Sequence, residues 1–371
     1  MGQSPSSKNY TNNSSDHILV QGNADMKNGH VEPRVWTTQI TKQAKKGDLI
    51  LSVRAPVGDI GKTDYDVVIG RGVAAIKGNE YIFQVLIKMK DSGYWTRFST
   101  GSTFESINSS NIRNAQIMIP KDDEQTKIAK VLTFLDNTIQ LHERKCEELA
   151  LIKKALLQKL FPKKDEFKPE VRYKNFSDAW EQRKLGEILS DLYNGQTPSR
   201  NVKSYWKGDI PWLTSGELNH GIVEETIEKI SESGKKAANL RLIPSGTIVI
   251  AITGLEAPGT RGNCAILGID TTVNQSVMAL VVKNNIDTQF IFQWYKKIGE
   301  EYGIRYTQGT KQQSYNYDLV KILPITIPTT TEEQQKIGSF FNQLDSLIAL
   351  HQRKLEKLKQ LKKFLLQNMF I

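Results

Sequence analysis

The sequence predicts an α/β (α+β) protein in which two mixed α/β domains are separated by two long helices. Three observations predict this fold class: the chain repeats itself once, each copy changes from a β-rich to a helical pattern, and the helical part carries an apolar heptad repeat. Two helices with apolar seams in one chain can bury each other's seam. We therefore expect an antiparallel coiled coil and a pseudo-two-fold internal repeat.

The internal repeat extends along almost the whole chain. Residues 2–6 (GQSPS) match residues 195–199 (GQTPS), and residues 124–161 align with 333–370 without a gap, at a constant offset of 209. A period this long is unsuited to a solenoid, whose repeats span roughly 20–45 residues. It describes two copies of one module.

Each module begins with short β-rich runs bounded by glycine and proline, which predict strands. The runs are residues 48–53, 247–252 and 277–282. Helical patterns follow near residues 79–90 and 287–298. Pro120 and Pro328 then stop the preceding strand, and the acidic or threonine-rich residues after them suit a helix N-terminus.

These boundaries divide the chain into five predicted segments. They are a first globular domain over 1–120, a central helix over 121–161, a linker over 162–177, a second globular domain over 178–328 and a C-terminal helix over 329–371. Over the 38 residues that align without a gap, 124–161 and 333–370, each helix extends for about 57 Å at 1.5 Å per residue.

A seam of mostly apolar residues, spaced alternately by four and three, runs along each helix and indicates a coiled coil. In the first helix the predicted seam residues are Ile128, Leu132, Leu135, Ile139, His142, Cys146, Leu149, Lys153, Leu156 and Leu160. In the second helix they are Ile337, Phe341, Leu344, Ile348, His351, Leu355, Leu358, Lys362, Leu365 and Met369.

The polar exceptions in the seam fall at the same two places in both helices. They are His142 and Lys153 in the first and His351 and Lys362 in the second. Isolated polar residues in a seam can fix register and pairing at a cost in stability. Alternatively, they lie at the seam edge with their stems turned outward.

Composition excludes several classes of protein. The net charge of +10 and the pI near 9.3 favour an acidic partner such as nucleic acid. Two cysteines, Cys146 and Cys264, cannot form a disulfide framework or a cysteine-rich zinc site, which fits a reducing compartment. No apolar run approaches the ~18 residues of a membrane span, and the polar N-terminus lacks the apolar stretch of a signal peptide. We expect a cytoplasmic protein.

Sequence signatures of catalysis are missing. The chain has no Asn/Asp-Pro-Pro-aromatic tetrad of an amino-methyltransferase, no G-x-G-x-x-G after a strand and no H-E-x-x-H. Residues 61–63 (GKT) look like the end of a phosphate loop, but Pro56 stands where the first glycine is required. We expect no catalytic residue, no metal site and no cofactor in this chain.

The motifs, taken in order, resemble those of the specificity (S) subunits of type I restriction-modification systems. The resemblance rests on the GQSPS and GQTPS stretches, AWEQRKLGEI at 179–188, the Gly-x-x-x-x-Ser segments at 101–106 and 309–314, and Glu-Gln-x-Lys-Ile at 124–128 and 333–337. Each motif is short, but their order is duplicated over nearly the entire chain.

The resemblance implies that each globular domain is a target-recognition domain for one half of a bipartite, interrupted site in double-stranded DNA. The helices would be spacers that dock two methyltransferase (modification) subunits, which use S-adenosylmethionine to methylate adenine. Restriction (motor) subunits would join them for cleavage that needs ATP and Mg. The chain would be the non-catalytic part of a type I deoxyribonuclease and adenine-N6 methyltransferase complex, with no membrane partner.

The first domain departs from the family pattern. The second domain opens with residues 180–192 before Gly195, whereas the first starts at Gly2 without such a segment. The family usually carries the segment in both domains. The alternatives are a fragment of a fused restriction-methylation enzyme, a silent or recombining specificity gene copy, or a structural protein that binds no DNA.

Candidate DNA contacts follow from side-chain chemistry, because arginine pairs with guanine, Asn and Gln with adenine, and Lys, Ser and Thr with phosphate. The first domain carries a net charge of +4 over residues 1–120. The predicted DNA-binding residues are Arg54, Arg71, Arg97, Thr103, Thr197, Ser199, Arg261, Arg305, Lys311 and Gln312. As alternatives, Thr197 and Ser199 only stabilise a turn, and Arg97 and Arg305 make a shared structural ion pair.

Overall fold

Two long helices and several small sheets make up the part of the chain that the computed structural model describes, residues 1–98, 106–163, 166–257, 259–307 and 313–370. The chain divides into unit 1, Met1–Lys145 with His351–Ile371, and unit 2, Cys146–Leu350. Each unit therefore combines one globular domain with parts of both long helices. The predicted fold class is confirmed: mixed α/β domains, with two long helices that pack together.

Short strands dominate unit 1. They are β1 (Tyr10–Thr11), β2 (His17–Val20), β3 (Met26–Lys27), β4 (His30–Val31), β5 (Trp36–Thr37), β6 (Gln43–Ala44), β7 (Leu49–Ser52), β8 (Ile60–Lys62), β9 (Val67–Ile69) and β10 (Val73–Ile76). The helices are α1 (Glu80–Asp91), α2 (Ser109–Arg113) and α3 (Asp122–Leu160), the last of which continues into unit 2. The two sheets have the strand orders β1-β5-β2-β9-β6 and β10-β7-β8-β4-β3.

Unit 2 is built in the same way. Its strands are β11 (Glu181–Lys184), β12 (Leu189–Asn194), β13 (Ile210–Leu213), β14 (Ile222–Val223), β15 (Glu228–Ile230), β16 (Ile248–Ala251), β17 (Cys264–Leu267), β18 (Thr272–Val273), β19 (Val277–Val282) and β20 (Pro324–Ile327). Its helices are α4 (Leu185–Ile188), α5 (Glu232–Ala237), α6 (Thr288–Arg305), α7 (Tyr317–Ile322) and α8 (Thr331–Asn368), which continues into unit 1. The sheets have the orders β12-β19-β16-β17-β14, β15-β13-β18 and β11-β20.

The central strands of the two units correspond to each other. β7 (LILS) and β16 (IVIA) are buried at every position, which explains why neither sequence alternates between apolar and polar residues. Each pairs antiparallel with a later strand, β7 with β10 and β16 with β19. These sheets hold the loops that form the candidate site.

The two long helices run antiparallel. In unit 1 the ammonium of Lys362 contacts the carboxylate of Asp136, while His351 contacts His142, so the residue numbers rise along one helix as they fall along the other. Every predicted seam residue is buried or half-buried. Leu132 and Phe341, at equivalent seam positions, are fully buried in units 1 and 2.

The seam lysines make ion pairs, and the same ion pair occurs once in each unit. Lys362 contacts Asp136 in unit 1, and Lys153 contacts Asp345 in unit 2. The two lysines are 209 positions apart, and so are the two aspartates, as the repeat requires. The lysine side chains are only 16% and 10% exposed, so the carboxylates compensate charges that are largely removed from water.

A glutamine from the globular domain completes each ion pair. Gln84 Nε2 donates a hydrogen bond to Asp136 (2.8 Å), and Gln293 Nε2 donates to Asp345 (2.9 Å). The paired helices are thus tied to helix α1 in unit 1 and to helix α6 in unit 2. Unit 2 adds a second lysine, Lys296, with its Nζ 3.3 Å from Asp345.

The three charged groups of unit 2, Lys153, Lys296 and Asp345, shift one another's pKa values. Burial, with a further effect of Lys296, lowers the pKa of Lys153 to about 8, although the contact with Asp345 opposes the shift. Burial would raise the pKa of Asp345, but Lys296 and Lys153 together hold it below its ordinary value. Asp345 therefore stays ionised between two lysines.

The seam histidines meet each other in unit 1. The Nδ1 atoms of His142 and His351 lie 2.8 Å apart, so one Nδ1–H donates a hydrogen bond and the other, unprotonated Nδ1 accepts it. Burial, then His351 and Lys354, lower the pKa of His142. Within the described ranges, no group of three or more His, Cys, Asp or Glu side chains could hold a metal ion. No helix in the described part of the chain is long and apolar enough to cross a membrane.

Candidate DNA interface

The GQSPS stretch of unit 1 is a clamp on the loop between β9 and β10. The amide of Gly2 donates to the carbonyl of Val73 (3.0 Å). A Cβ at Gly2 would lie 2.1 Å from the carbonyl oxygen of Gly70, so only glycine fits. The hydroxyl of Ser4 accepts a hydrogen bond from the amide of Arg71 (3.1 Å). The motif thereby fixes an exposed arginine at the end of the sheet.

The GQTPS stretch of unit 2 clamps the equivalent loop, between β18 and β19. A Cβ at Gly195 would lie 1.7 Å from the carbonyl oxygen of Val273. The hydroxyl of Thr197 hydrogen-bonds the side chain of Gln275, which is exposed. Gln275 therefore occupies the place that Arg71 holds in unit 1. The sequence did not identify it, because the two loops share no motif.

A second loop lies beside Arg71 in unit 1. The amide of Val53 donates to the carbonyl of Gly72 (2.9 Å), and Arg54, the next residue, forms an isolated antiparallel bridge with Ser106. Arg54 and Arg71 are both exposed. The structure thus brings two of the predicted DNA-binding arginines to one end of the same sheet.

The corresponding loop in unit 2 has the same backbone contacts but different side chains. The amide of Ile252 donates to the carbonyl of Ser276 (2.9 Å), and Thr253 bridges Ser314. Thr253 therefore stands at the position of Arg54. At these two equivalent positions unit 1 presents the arginines Arg54 and Arg71, whereas unit 2 presents the uncharged residues Thr253 and Gln275.

Arg261 joins the unit 2 surface through a hydrogen-bond network. Its Nη2 donates to Gln313 Oε1 (2.8 Å), and the amide of Gln313 donates to the carboxylate of Glu256 (2.8 Å). Hydrogen bonds from its own amide and from that of Gln313 lower the pKa of Glu256. The stem of Arg261 packs on Gly303. This network orients Arg261, whose Nε is buried and has no hydrogen-bond partner among the described residues.

Other predicted contacts are less clearly grouped. The Arg97 guanidinium stacks 3.5 Å from the ring centre of Tyr94, and no ion pair to it is seen in the described residues. Arg305 pairs with Glu301 (2.8 Å), and no equivalent ion pair of Arg97 is seen among the described residues. Ser199 is exposed, and its carbonyl accepts from Trp206 Nε1 (3.2 Å). Their DNA contacts stay predictions, and Thr103, Lys311 and Gln312 lie outside the described residues.

Comparison with known proteins defines the class. The family model for the type I restriction modification DNA specificity domain matches residues 1–151 and 177–360. The chain therefore belongs to this family.

Particular relatives share this description. The type I restriction enzyme MjaIX specificity subunit of Methanocaldococcus jannaschii is 29% identical over 196 residues, which are 52% of this chain and 44% of that protein. The EcoR124I/EcoR124II specificity subunit of Escherichia coli is 27% identical over 169 residues, 45% of this chain and 41% of that protein. The chain thus spans less than half the length of these relatives in the alignments.

Among solved structures, the fold matches a type I restriction-modification S subunit from M. genitalium. The TM-score is 0.70 at 15% sequence identity, and the match covers 100% of this chain and 92% of that one. At this identity the similarity shows a common fold.

Proposed function

We propose that this chain is the DNA-sequence specificity subunit of a type I restriction-modification complex and binds a bipartite, interrupted site in double-stranded DNA. Each unit would contact one half of the site through the surface held by its Gly-Gln-Ser/Thr-Pro-Ser clamp. The target would be cellular DNA, which implies a cytoplasmic location.

The observation that carries this proposal is the contrast between equivalent surfaces on a common scaffold. Arg54 and Arg71 can pair with guanine or with phosphates, whereas Thr253 and Gln275 suit a phosphate and an adenine. Such a difference is expected of two surfaces that recognise different base sequences. A protein built only around its helices would need neither the clamp nor the divergence.

We further propose that the helices dock two modification subunits, and that restriction (motor) subunits join the assembly. Equivalent apolar residues are exposed at places 209 residues apart. Leu141 and Leu350 are 47% and 45% exposed, and Ile152 and Leu361 are 49% and 45% exposed. Apolar groups duplicated in this way fit two copies of one protein partner. Methyl transfer and cleavage, with S-adenosylmethionine, ATP and Mg, would belong to those partners.

The test is DNA binding by the complex of this chain with its modification subunits. We expect affinity to fall steeply with salt, with a slope of about −0.9 per neutralised phosphate. Arg71→Ala should alter recognition of one half-site only, and Gln275→Ala of the other. Lys46→Ala, an exposed basic residue before β7 and so at the other end of that strand from Arg54, serves as control. Absence of DNA binding, or equal effects of both variants on both half-sites, would refute the proposal.

A further inference from the structure

The loop between β16 and β17 of unit 2 lies directly on helix α6. It covers residues 252–263, whereas its counterpart in unit 1, between β7 and β8, covers only residues 53–59. A Cβ at Gly299 of α6 would lie 2.8 Å from the Cα of Gly262, and a Cβ at Gly262 would lie 2.7 Å from the amide nitrogen of Glu300. Glycine is therefore required at both positions for the two backbones to approach so closely.

A second glycine of α6 makes room for the stem of Arg261. A Cβ at Gly303 would lie 2.9 Å from the Cγ of Arg261 and 3.0 Å from its Cβ. Gly299 and Gly303 are about one turn apart within α6, although glycine disfavours a helix relative to alanine. In unit 1, Lys90 stands at the helical position of Gly299. We call Gly299 and Gly303 the glycine groove, and it is not part of the scaffold that the two units share.

The guanidinium of Arg261 is held by a neighbouring segment of the chain. Its Nη2 donates to Gln313 Oε1 (2.8 Å), and the amide of Leu255, in the same loop, donates to the carbonyl of Gln313 (3.1 Å). The next residue, Ser314, bridges Thr253 at the end of the sheet. These contacts place Arg261 in the same group of loops as Thr253, which belongs to the candidate DNA interface.

Buried polar atoms without a hydrogen-bond partner among the described residues lie beside this loop. They are the Nε of Arg261 and the hydroxyls of Tyr295 and Tyr315. Burial raises the pKa of Tyr315, and the nearby charge of Arg261 opposes this shift. Leu86 and Ile107 stand at the equivalent positions of unit 1, where the amide of Ile107 donates to the carbonyl that corresponds to the acceptor of Tyr315. Because apolar side chains are sufficient for the fold and unpaired buried hydroxyls are unfavourable, the two hydroxyls indicate a role other than stability.

We propose that Arg261 contacts a guanine in the half-site that unit 2 recognises. Gly299, Gly303 and Tyr315 are then positioning residues, which hold the guanidinium for this contact. The inference rests on the proposed function and deepens it, since it assigns one base type to unit 2. Arginine donates two hydrogen bonds to O6 and N7 of guanine, and a stem fixed before binding loses less conformational freedom on binding. Because the Nε of Arg261 is buried, its terminal nitrogens make the contact.

The test uses the full chain in complex with its modification subunits and a pool of double-stranded DNA of randomised sequence. Sequencing of the bound fraction measures the base preference at each position. The unmodified complex should select a G·C pair at one or more positions of one half-site. Arg261→Ala should lower the preference at one such pair by about 10-fold and leave the other half-site unchanged.

A glycine substitution tests the positioning role. Gly303→Ala should lower the preference at the same base pair as Arg261→Ala, because the added methyl group displaces the arginine stem. The two changes together should be no worse than Arg261→Ala alone, since both remove one contact. Gly268→Ala is the matched control: its methyl group would lie 2.8 Å from the Cγ2 of Ile222, at the other end of β17, and base preference should not change.

Removal of one hydroxyl separates positioning from stability. Tyr315→Phe should lower the preference at that base pair by about 3-fold, while the midpoint of urea unfolding stays the same or rises, because an unpaired buried hydroxyl is lost. A purely structural role would lower the midpoint and leave the base preference unchanged, and that result would remove Tyr315 from the proposal.

The outcomes distinguish this inference from the proposed function. If the unmodified complex selects no DNA sequence, the proposed function fails and the inference fails with it. If a bipartite motif is selected but Arg261→Ala leaves it unchanged, or weakens binding to all sequences equally as expected of a phosphate contact, only the inference is overturned. Additive effects of Gly303→Ala and Arg261→Ala would likewise overturn the positioning role of the glycine groove.

Discussion

Units 1 and 2 make the same ion pair between the long helices and share a sheet scaffold, but the side chains on their exposed loops differ. The ion pairs of Lys362 with Asp136 and of Lys153 with Asp345 repeat at an offset of 209. Lys296, which adds to the cluster in unit 2, corresponds to Ile87 in unit 1. Residues 180–192, which open the second domain, have no counterpart within residues 1–120. The comparison indicates that helix pairing is held fixed while the domains attached to it vary.

The largest effect is expected from Trp180→Ala. Trp180 is 2% exposed, and removing a buried tryptophan costs about 3–5 kcal/mol. Trp180 also covers the carboxylate of Glu333, which accepts hydrogen bonds from Arg172 (2.7 and 2.8 Å) and lies 3.4 Å from Trp180 Nε1, so its loss exposes this ion pair to water. Hydrogen exchange should show faster opening at β11, β12 and β20, with β7 and β10 of unit 1 unchanged. Trp206→Ala, at a half-buried position in the same unit, is the control with a smaller loss. Equal loosening of both units would contradict the division described here.

The next largest difference between the units is expected on removal of the two carboxylates that pair with the seam lysines. Asp345→Asn leaves two largely buried lysines without a counter-charge and should cost about 3 kcal/mol in unit 2. Asp136→Asn leaves only Lys362 without a counter-charge and should lower the stability of unit 1 by less. Urea denaturation followed by exchange in each unit measures both. A larger loss for Asp136→Asn would mean that Lys296 is not part of the cluster.

The proposed docking sites predict a change in stoichiometry. Leu141→Ser with Leu361→Ser alters the exposed apolar pair of unit 1, and Leu350→Ser with Ile152→Ser alters that of unit 2. Each double variant should weaken one of two modification subunits by about 10-fold, with stability nearly unchanged because the residues are exposed. Native mass spectrometry counts the subunits. Retention of both subunits in the fourfold variant would place the interface elsewhere.

The histidine pair should give the smallest effect, and it depends on pH. The pKa of His142 is lowered in the folded chain, so the unfolded chain binds more protons near its ordinary value of 6.5. Stability should therefore fall as pH drops from about 7 to about 5, by less than about 1 kcal/mol for half-exposed groups. His142→Gln should flatten this dependence in urea denaturation. A wild-type protein that becomes more stable over this range would contradict the sign.

The helices could be predicted from sequence because their apolar spacing encodes the seam directly. The spacing also located Lys153 and Lys362, but their acidic partners depend on the register of two helices, which no local pattern states. Gln275 was missed for a similar reason. Its equivalence to Arg71 follows from backbone contacts of Ser276 and Gly72, whereas the surrounding residues differ. The difference in burial between equivalent residues of the two units could be recognised only in the structure, where Ile119 is 59% exposed and its counterpart Ile327 is 2% exposed.

The central claim is that one chain carries two different recognition surfaces on a duplicated scaffold. The most direct measurement is methylome sequencing of a host that expresses this chain with its modification subunits. The account predicts methylated adenines in a bipartite motif whose two halves differ, and Arg71→Ala should change only one half. A palindromic motif, or no methylation that depends on this chain, would contradict it.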